Sequence, residues 1–422
     1  TFKKVKLEAH INSRHYPGIL PIPHGLLKGR NAQEVIAIAH IYEQGANDNA
    51  SGGALLLECS RLISTLIKKG ALPRPKRSIR FVFSSECYGA IAFAWHNPDI
   101  VKRAVACIVP DCVCSCGSRE GNIPNVYHNP DASASFTDTL FKEILLFIRT
   151  KAPEYSWKDK KYNINDNIIA DPAINIPGLY IGFMDKYLHS SGDIPENYSS
   201  RYLKFHGVAC AIYLYFIANA NLKQAAWLAE KVLVNCIGII NSEITKRIEL
   251  ILKLAEKNKR YGQLMDSIEF LDYRIEIGKR QILSVQSLFT GRQKIKCLNV
   301  LKKHVRNLEL LAEPWYKQLK FYCAQNRKKP LSSSKIPQAW RLIPVRLEFC
   351  MPHFERIPPA LKKEYNFSLW NNTIIPALCW ADGKRTIAQI IKNVKHETGI
   401  HNPRLPAVFR ILEKYDYVRL KA

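Results

Sequence analysis

His40, Asp48, Glu86, Asp111 and His189 are the residues of this chain whose types and order could do metal-ion and acid–base chemistry. His40 closes the apolar run VIAIAH, and Asp48 lies 8 residues on, inside GANDNASG. Glu86 follows SIRFVFSS after a further 38 residues, Asp111 ends AVACIVPD after 25 more, and His189 follows GLYIGFMDKYL after another 78. Ligands in an open α/β sheet bind outside the carboxyl ends of the strands. Two histidines and two carboxylates converging there suit a divalent ion, zinc above all. Glu86 beside them is the natural general base for a water held by such an ion. Taken singly, a strand-end Asp more often caps a helix or shapes a turn, and Asn47, Asn49 and Ser51 read as turn and cap residues. Five such residues at successive strand ends favour the site.

The elements that must position them alternate up to about Asn219. Val35 to His40, Ser78 to Glu86, Ala104 to Asp111 and Gly178 to Phe183 read as strands. Ser51 to Gly70 has helical spacing and stops at a glycine, and YGAIAFAWHNP is a second helix that ends before Pro98. Continuous apolar strands between helices predict an α/β fold, a mixed central sheet covered by helices on both faces. Residues 220–330 read as a helical extension, a hairpin or small bundle. There Ile244, Ile248, Ile251 and Ala255, then Leu264, Ile268, Leu271 and Ile275, repeat with helical period. After the polar linker RKKPLSSSKIP (Arg327 to Pro337), Thr386 and Gln389 have capping-box spacing. A second helix and a short strand follow, so residues 331–422 read as a winged-helix-like module.

The 422 residues are 47% hydrophobic, which excludes wholesale disorder. No uncharged apolar run approaches the roughly 18 residues of a membrane span, and Gly207 to Ala220 reads as a buried helix. No membrane association is expected. Twelve cysteines without framework spacing predict reduced thiols and a cytoplasmic location. Cys112, Cys114 and Cys116 could share one strand face, yet no second cluster completes a zinc set. The net charge of +26 favours acidic partners, and Gly291 to Pro330 carries eleven Lys or Arg against two Glu. A nucleic-acid or protein partner would therefore meet the C-terminal region. The chain begins at Thr1 without a recognisable signal peptide or an initiator Met, so residues upstream are expected. The oligomeric state has no signature.

GANDNASG followed by an apolar helix resembles the signature of the zinc-dependent aminopeptidases with co-catalytic metals, a family similar to bacterial leucyl aminopeptidase, aminopeptidase Y and glutamate carboxypeptidase. The resemblance covers Thr1 to Asn219, and YLHSSGDIPENYS (Tyr187 to Ser199) matches the family's late His segment. It implies two Zn2+ ions bridged by Asp48, or one where a site is short of a ligand, with His40 and Asp111 completing one site and His189 belonging to the other. Glu86 would be the general base, and a peptide the substrate, cleaved at its amino-terminal bond. NINDN (Asn163 to Asn167) falls where the family has a polar substrate-pocket loop. Two positions depart from the pattern. Where the family has adjacent glutamates, this chain has Glu86-Cys87, and Cys87 is either a thiolate ligand or inert. Where it has an Asp two residues after the first His, this chain has Tyr42. Such a lost partner typically costs about 10–100-fold in metal affinity or activity. The alternative is a catalytically degenerate binding protein that uses the fold, its basic helices and the C-terminal module to hold nucleic acid or a protein. A third reading is amidohydrolysis of a non-peptide substrate by the same metal chemistry.

Overall fold

The computed structural model describes residues 6, 8–115, 123–325 and 337–422. Seven strands form one mixed sheet: β1 (His24–Leu27), β2 (Glu34–His40), β3 (Ser78–Ser84), β4 (Ala104–Asp111), β5 (Asn125–Tyr127), β6 (Lys158–Lys160) and β7 (Gly178–Gly182). Their spatial order is β1-β3-β2-β4-β7-β5-β6. β3, β2, β4 and β7 are parallel and central, and they are the four strands expected from sequence. The edges were not expected. β1 pairs antiparallel with β3, and β5 pairs antiparallel with β7 and parallel with β6. These edge strands are short, and Lys158–Lys160 is exposed throughout, so no apolar alternation marks them.

Side chains alternate across the pleat of β2. Val35, Ala37 and Ala39 join one buried apolar cluster, Ile36 and Ile38 the other. The first face is covered by α1 (Ala50–Lys68), α4 (Phe136–Lys151) and α5 (Ser200–Asn219), with Leu56, Phe141 and Leu214 buried in its cluster. Among the described residues α1 alone is long and apolar enough to cross a membrane. Its Leu55, Leu56, Cys59 and Ile63 are instead buried in this core. The opposite face is covered by α2 (Tyr88–His96), followed by the short α3 (Pro98–Arg103), and by C-terminal residues.

Three long helices extend the first cluster: α6 (Leu222–Lys253), α7 (Lys257–Ser284) and α8 (Gly291–Gln325), each packed on the other two. Asn221 and Gln224 form a capping box at the start of α6. Ile244, Ile248 and Ile251 are buried as their spacing requires, whereas Ala255 lies past the end of α6 and is exposed.

The C-terminal region comprises α9 (Gln338–Arg341), β8 (Ile343–Arg346), α10 (Pro359–Tyr365), α11 (Ile374–Trp380), α12 (Ile387–Thr398), α13 (Leu405–Lys414) and β9 (Val418–Lys421). β8 and β9 form an antiparallel pair, and Thr386 and Gln389 make the expected capping box on α12. Ile375, Trp380 and Ile390 share one apolar cluster with Ile38 and Val109 of the sheet. Polar anchors reinforce this contact. Arg346 pairs with both oxygens of buried Asp171, one at 2.7 Å, and Glu397 accepts from the Asp131 amide (3.0 Å) and the Trp380 indole (2.7 Å). Of the linker read from Arg327 to Pro337, residues 327–336 lie outside the described residues, as does Cys116.

Candidate metal centre

From β2 the chain crosses through α1 to β3 on one side, then returns through α2 and α3 to β4 on the other. Such a reversal opens a crevice at the carboxyl ends of the strands. The parallel register aligns His40 with Ser84, two residues before Glu86, and Asp111 with Gly182. Three of the five residues singled out by type thus emerge on one rim, and the loops bring in the other two.

The loop carrying Asp48 is held by its own sequence. Asn49 caps α1, its Oδ1 accepting from the Gly52 amide (2.9 Å) and the Cys112 amide (3.3 Å), while its Nδ2 donates to the Pro110 carbonyl (3.2 Å). Ser51 Oγ donates to the Asn47 carbonyl (2.7 Å) and accepts from the Val113 amide (3.0 Å). Asn47 Oδ1 accepts from the Cys114 amide (3.0 Å). The small polar residues around Asp48 are cap and turn residues that stitch the loop to the end of β4. From the far side, Asp193 accepts the Asn47 amide (2.7 Å) and the Asp48 amide (3.1 Å).

His40 is 1% exposed, with Nε2 at 3.3 Å from Asp111 Oδ1 and 3.6 Å from Asp48 Oδ1. The other Asp48 oxygen, Oδ2, lies 3.0 Å from His189 Nε2. Two groups of potential ligands result, His40–Asp48–Asp111 and Glu43–Asp48–His189, and Asp48 belongs to both. Glu43 was not anticipated. It stands three residues past His40, with Oε2 at 3.6 Å from His40 Nδ1. The expected position for a His partner, Tyr42, is exposed and donates its hydroxyl to the Pro21 carbonyl instead.

Glu86 is tied in by another residue whose role was not anticipated. Asn165 Nδ2 donates to Glu86 Oε1 (3.1 Å) and to Asp111 Oδ2 (2.9 Å). Asp166 accepts the Cys87 amide (2.7 Å). Of the NINDN stretch, Asn163 and Ile164 line a cavity of about 680 Å³, while Asn165 to Asn167 turn inward and are buried. The only sequence signal for Asn165 and Asp166 was their polarity, and for Asp193 its place in the His segment.

The charge balance asks for a cation. Burial alone would lower the His40 imidazole, but Asp111, Asp166 and Glu43 outweigh it and push it up to about 10. Burial, with Asp48 and Glu86 nearby, pushes Glu43 up to about 8 although His40 opposes it. Burial first, then Asp111, raises Asp48. Both ring nitrogens of His40 and Asp111 Oδ1 are buried without a hydrogen-bond partner, an expensive arrangement unless an ion takes them up. Imidazole and carboxylate donors on one shared Asp fit a divalent metal. In a third acid–histidine group, Asp266–Glu269–His396, both carboxylates are already paired, Asp266 with Arg247 and Lys395 and Glu269 with Lys392. Cys112 and Cys114 are buried and belong to no such group.

No curated protein matches this sequence. Among solved structures, the chain is similar to a putative peptidase from Clostridium acetobutylicum (12% identity over 95% of this chain and 60% of that one, TM-score 0.35). It is also similar to BSAP, a zinc aminopeptidase from Bacillus subtilis (18%, 46% and 49%, TM-score 0.39), and to an aminopeptidase from Aneurinibacillus sp. strain AM-1 (19%, 47% and 48%, TM-score 0.39). The chain spans 48% to 60% of the length of these three structures. Residues 9–213, which contain all five rim residues, match the model of Peptidase family M28.

Proposed function

We propose that this protein is a zinc-dependent exopeptidase, in its most specific form an aminopeptidase acting on the amino-terminal bond of a peptide. The observation that carries the reading is Asp48, whose two carboxylate oxygens face two histidines, His40 and His189, on opposite sides. Zinc, when bound, supplies Lewis-acid activation of water and of the scissile carbonyl. His40, Asp48, Asp111 and His189 would hold it. Glu86 accepts the proton of the attacking water and returns it to the leaving amine. Asn165 fixes Glu86 by a hydrogen bond that also restrains Asp111.

In this proposal residues 1–219 are the catalytic part, 220–330 a helical extension and 331–422 a winged-helix-like module. The free cysteines among the described residues support a cytoplasmic location. The test is Glu86→Gln, assayed on peptides with free amino termini. Hydrolysis should fall about 10²–10⁴-fold, the contribution typical of a positioned acid–base group, while zinc content stays unchanged. Zinc retained by a wild-type protein that hydrolyses no peptide would overturn the reading.

A further inference from the structure

We propose that Glu43 is the carboxylate ligand of a second metal ion, bound with Asp48 and His189 in the place where Cys87 would otherwise have to serve. The proposal rests on the metallopeptidase reading and assigns this chain's own residues within it. One ligand atom from each of Glu43, Asp48 and His189 lies within 4.8 Å of the other two, as in the group made by His40, Asp48 and Asp111. Asp48 divides its oxygens between the groups, Oδ1 toward His40 and Oδ2 toward His189. With ions bound, Asp48 would have one oxygen to offer to each. A second observation is independent of the acidic cluster. His40, almost wholly buried, has no hydrogen-bond partner at either ring nitrogen, and its Nδ1 faces Glu43 while its Nε2 faces Asp48 and Asp111.

Access fits a working site. Glu43, Asp48 and His189 line an open cavity of about 590 Å³ bordered by Tyr42, Ser190 and Ile194. Three protein ligands and an open position are the pattern of catalytic zinc. Cys87 is placed otherwise. It is 6% exposed and packs with Ala90 and Phe93 in the apolar cluster on the opposite face of the sheet, outside both ligand groups. An interior thiol in such a setting behaves as a small hydrophobe.

The experiment is zinc stoichiometry of the full chain, stripped with chelator and dialysed against buffered zinc, for wild type, Glu43→Gln and Cys87→Ser. Circular dichroism checks that each variant is folded. Two zinc ions in wild type and in Cys87→Ser, with one in Glu43→Gln and at least a hundredfold weaker second-site affinity, support the assignment. Two ions in Glu43→Gln overturn it, whether or not Cys87→Ser loses one. One ion in wild type removes the second site and leaves a single-metal hydrolase standing. No zinc in wild type overturns the proposed function together with this assignment.

Discussion

Asn165 shows how much one amide does at this rim. Its two N–H groups are shared between Glu86 and Asp111, carboxylates that would otherwise face each other in a poorly solvated crevice. Burial first, then Asp111 and Asp48, already hold Glu86 above its ordinary value although His40 opposes them. A donor to the ionised form lowers a carboxylate's pKa, so removing it raises that pKa. Asn165→Ala should therefore lower kcat/KM about 10–100-fold and move the acid limb of the pH–rate profile to higher pH, since Glu86 must be ionised to accept a proton. A profile with an unmoved limb would deny Asn165 this positioning role. His40, Asp48, Glu86, Asp111 and His189 were legible because strand ends and one loop signature carry them. Glu43, Asn165, Asp166 and Asp193 were not, because they reach the rim along loops whose paths no local pattern sets.

At the scale of elements, α1 must seat tightly for Asp48 to be placed. Gly52, in its first turn, lies so close to β4 that a Cβ there would overlap the Pro110 carbonyl and the Asn49 side chain. Gly52→Ala should cost about 1–3 kcal/mol, as overpacking does, and weaken zinc binding because the Asn49 cap moves with the helix. Gly262, exposed in α7 with nothing within 4 Å of a Cβ, is the matched control, where alanine should stabilise by about 0.5–1 kcal/mol. Urea unfolding of both variants checks the pair. Shifts of the same sign would show that Gly52 is not confined by β4. Helix α1 itself could be read from the spacing of Leu55, Leu56, Cys59 and Ile63. That its third residue must be glycine could not, because the reason is a strand 58 residues further on.

Across the whole molecule, the three regions meet at Glu397. Its carboxylate accepts from Asp131, which belongs to the sheet-bearing part, and from Trp380 of α11, while Tyr273 of α7 donates to Asp131 (2.6 Å). Sequence could suggest a C-terminal unit, but not that its apolar face closes over the sheet, because the partner residues lie hundreds of positions away. Burial first, then Asp131, pushes Glu397 up to about 7, although the Asp131 amide, Trp380 and Lys161 pull the other way. Between its ordinary value of 4.5 and about 7 the folded chain therefore holds a proton at Glu397 that the unfolded chain has lost. Stability from this group is fully present below 4.5 and is lost as pH rises through 7. Glu397→Gln carries no such titration, and its poorer match to two N–H donors is a penalty independent of pH. The stability of wild type minus that of the variant should thus decline between pH 4.5 and 7, at no more than about 1.4 kcal/mol per pH unit. Urea unfolding of both proteins across that range measures it, and a difference that stays flat would mean that Glu397 ionises in the folded chain as it does in the unfolded one.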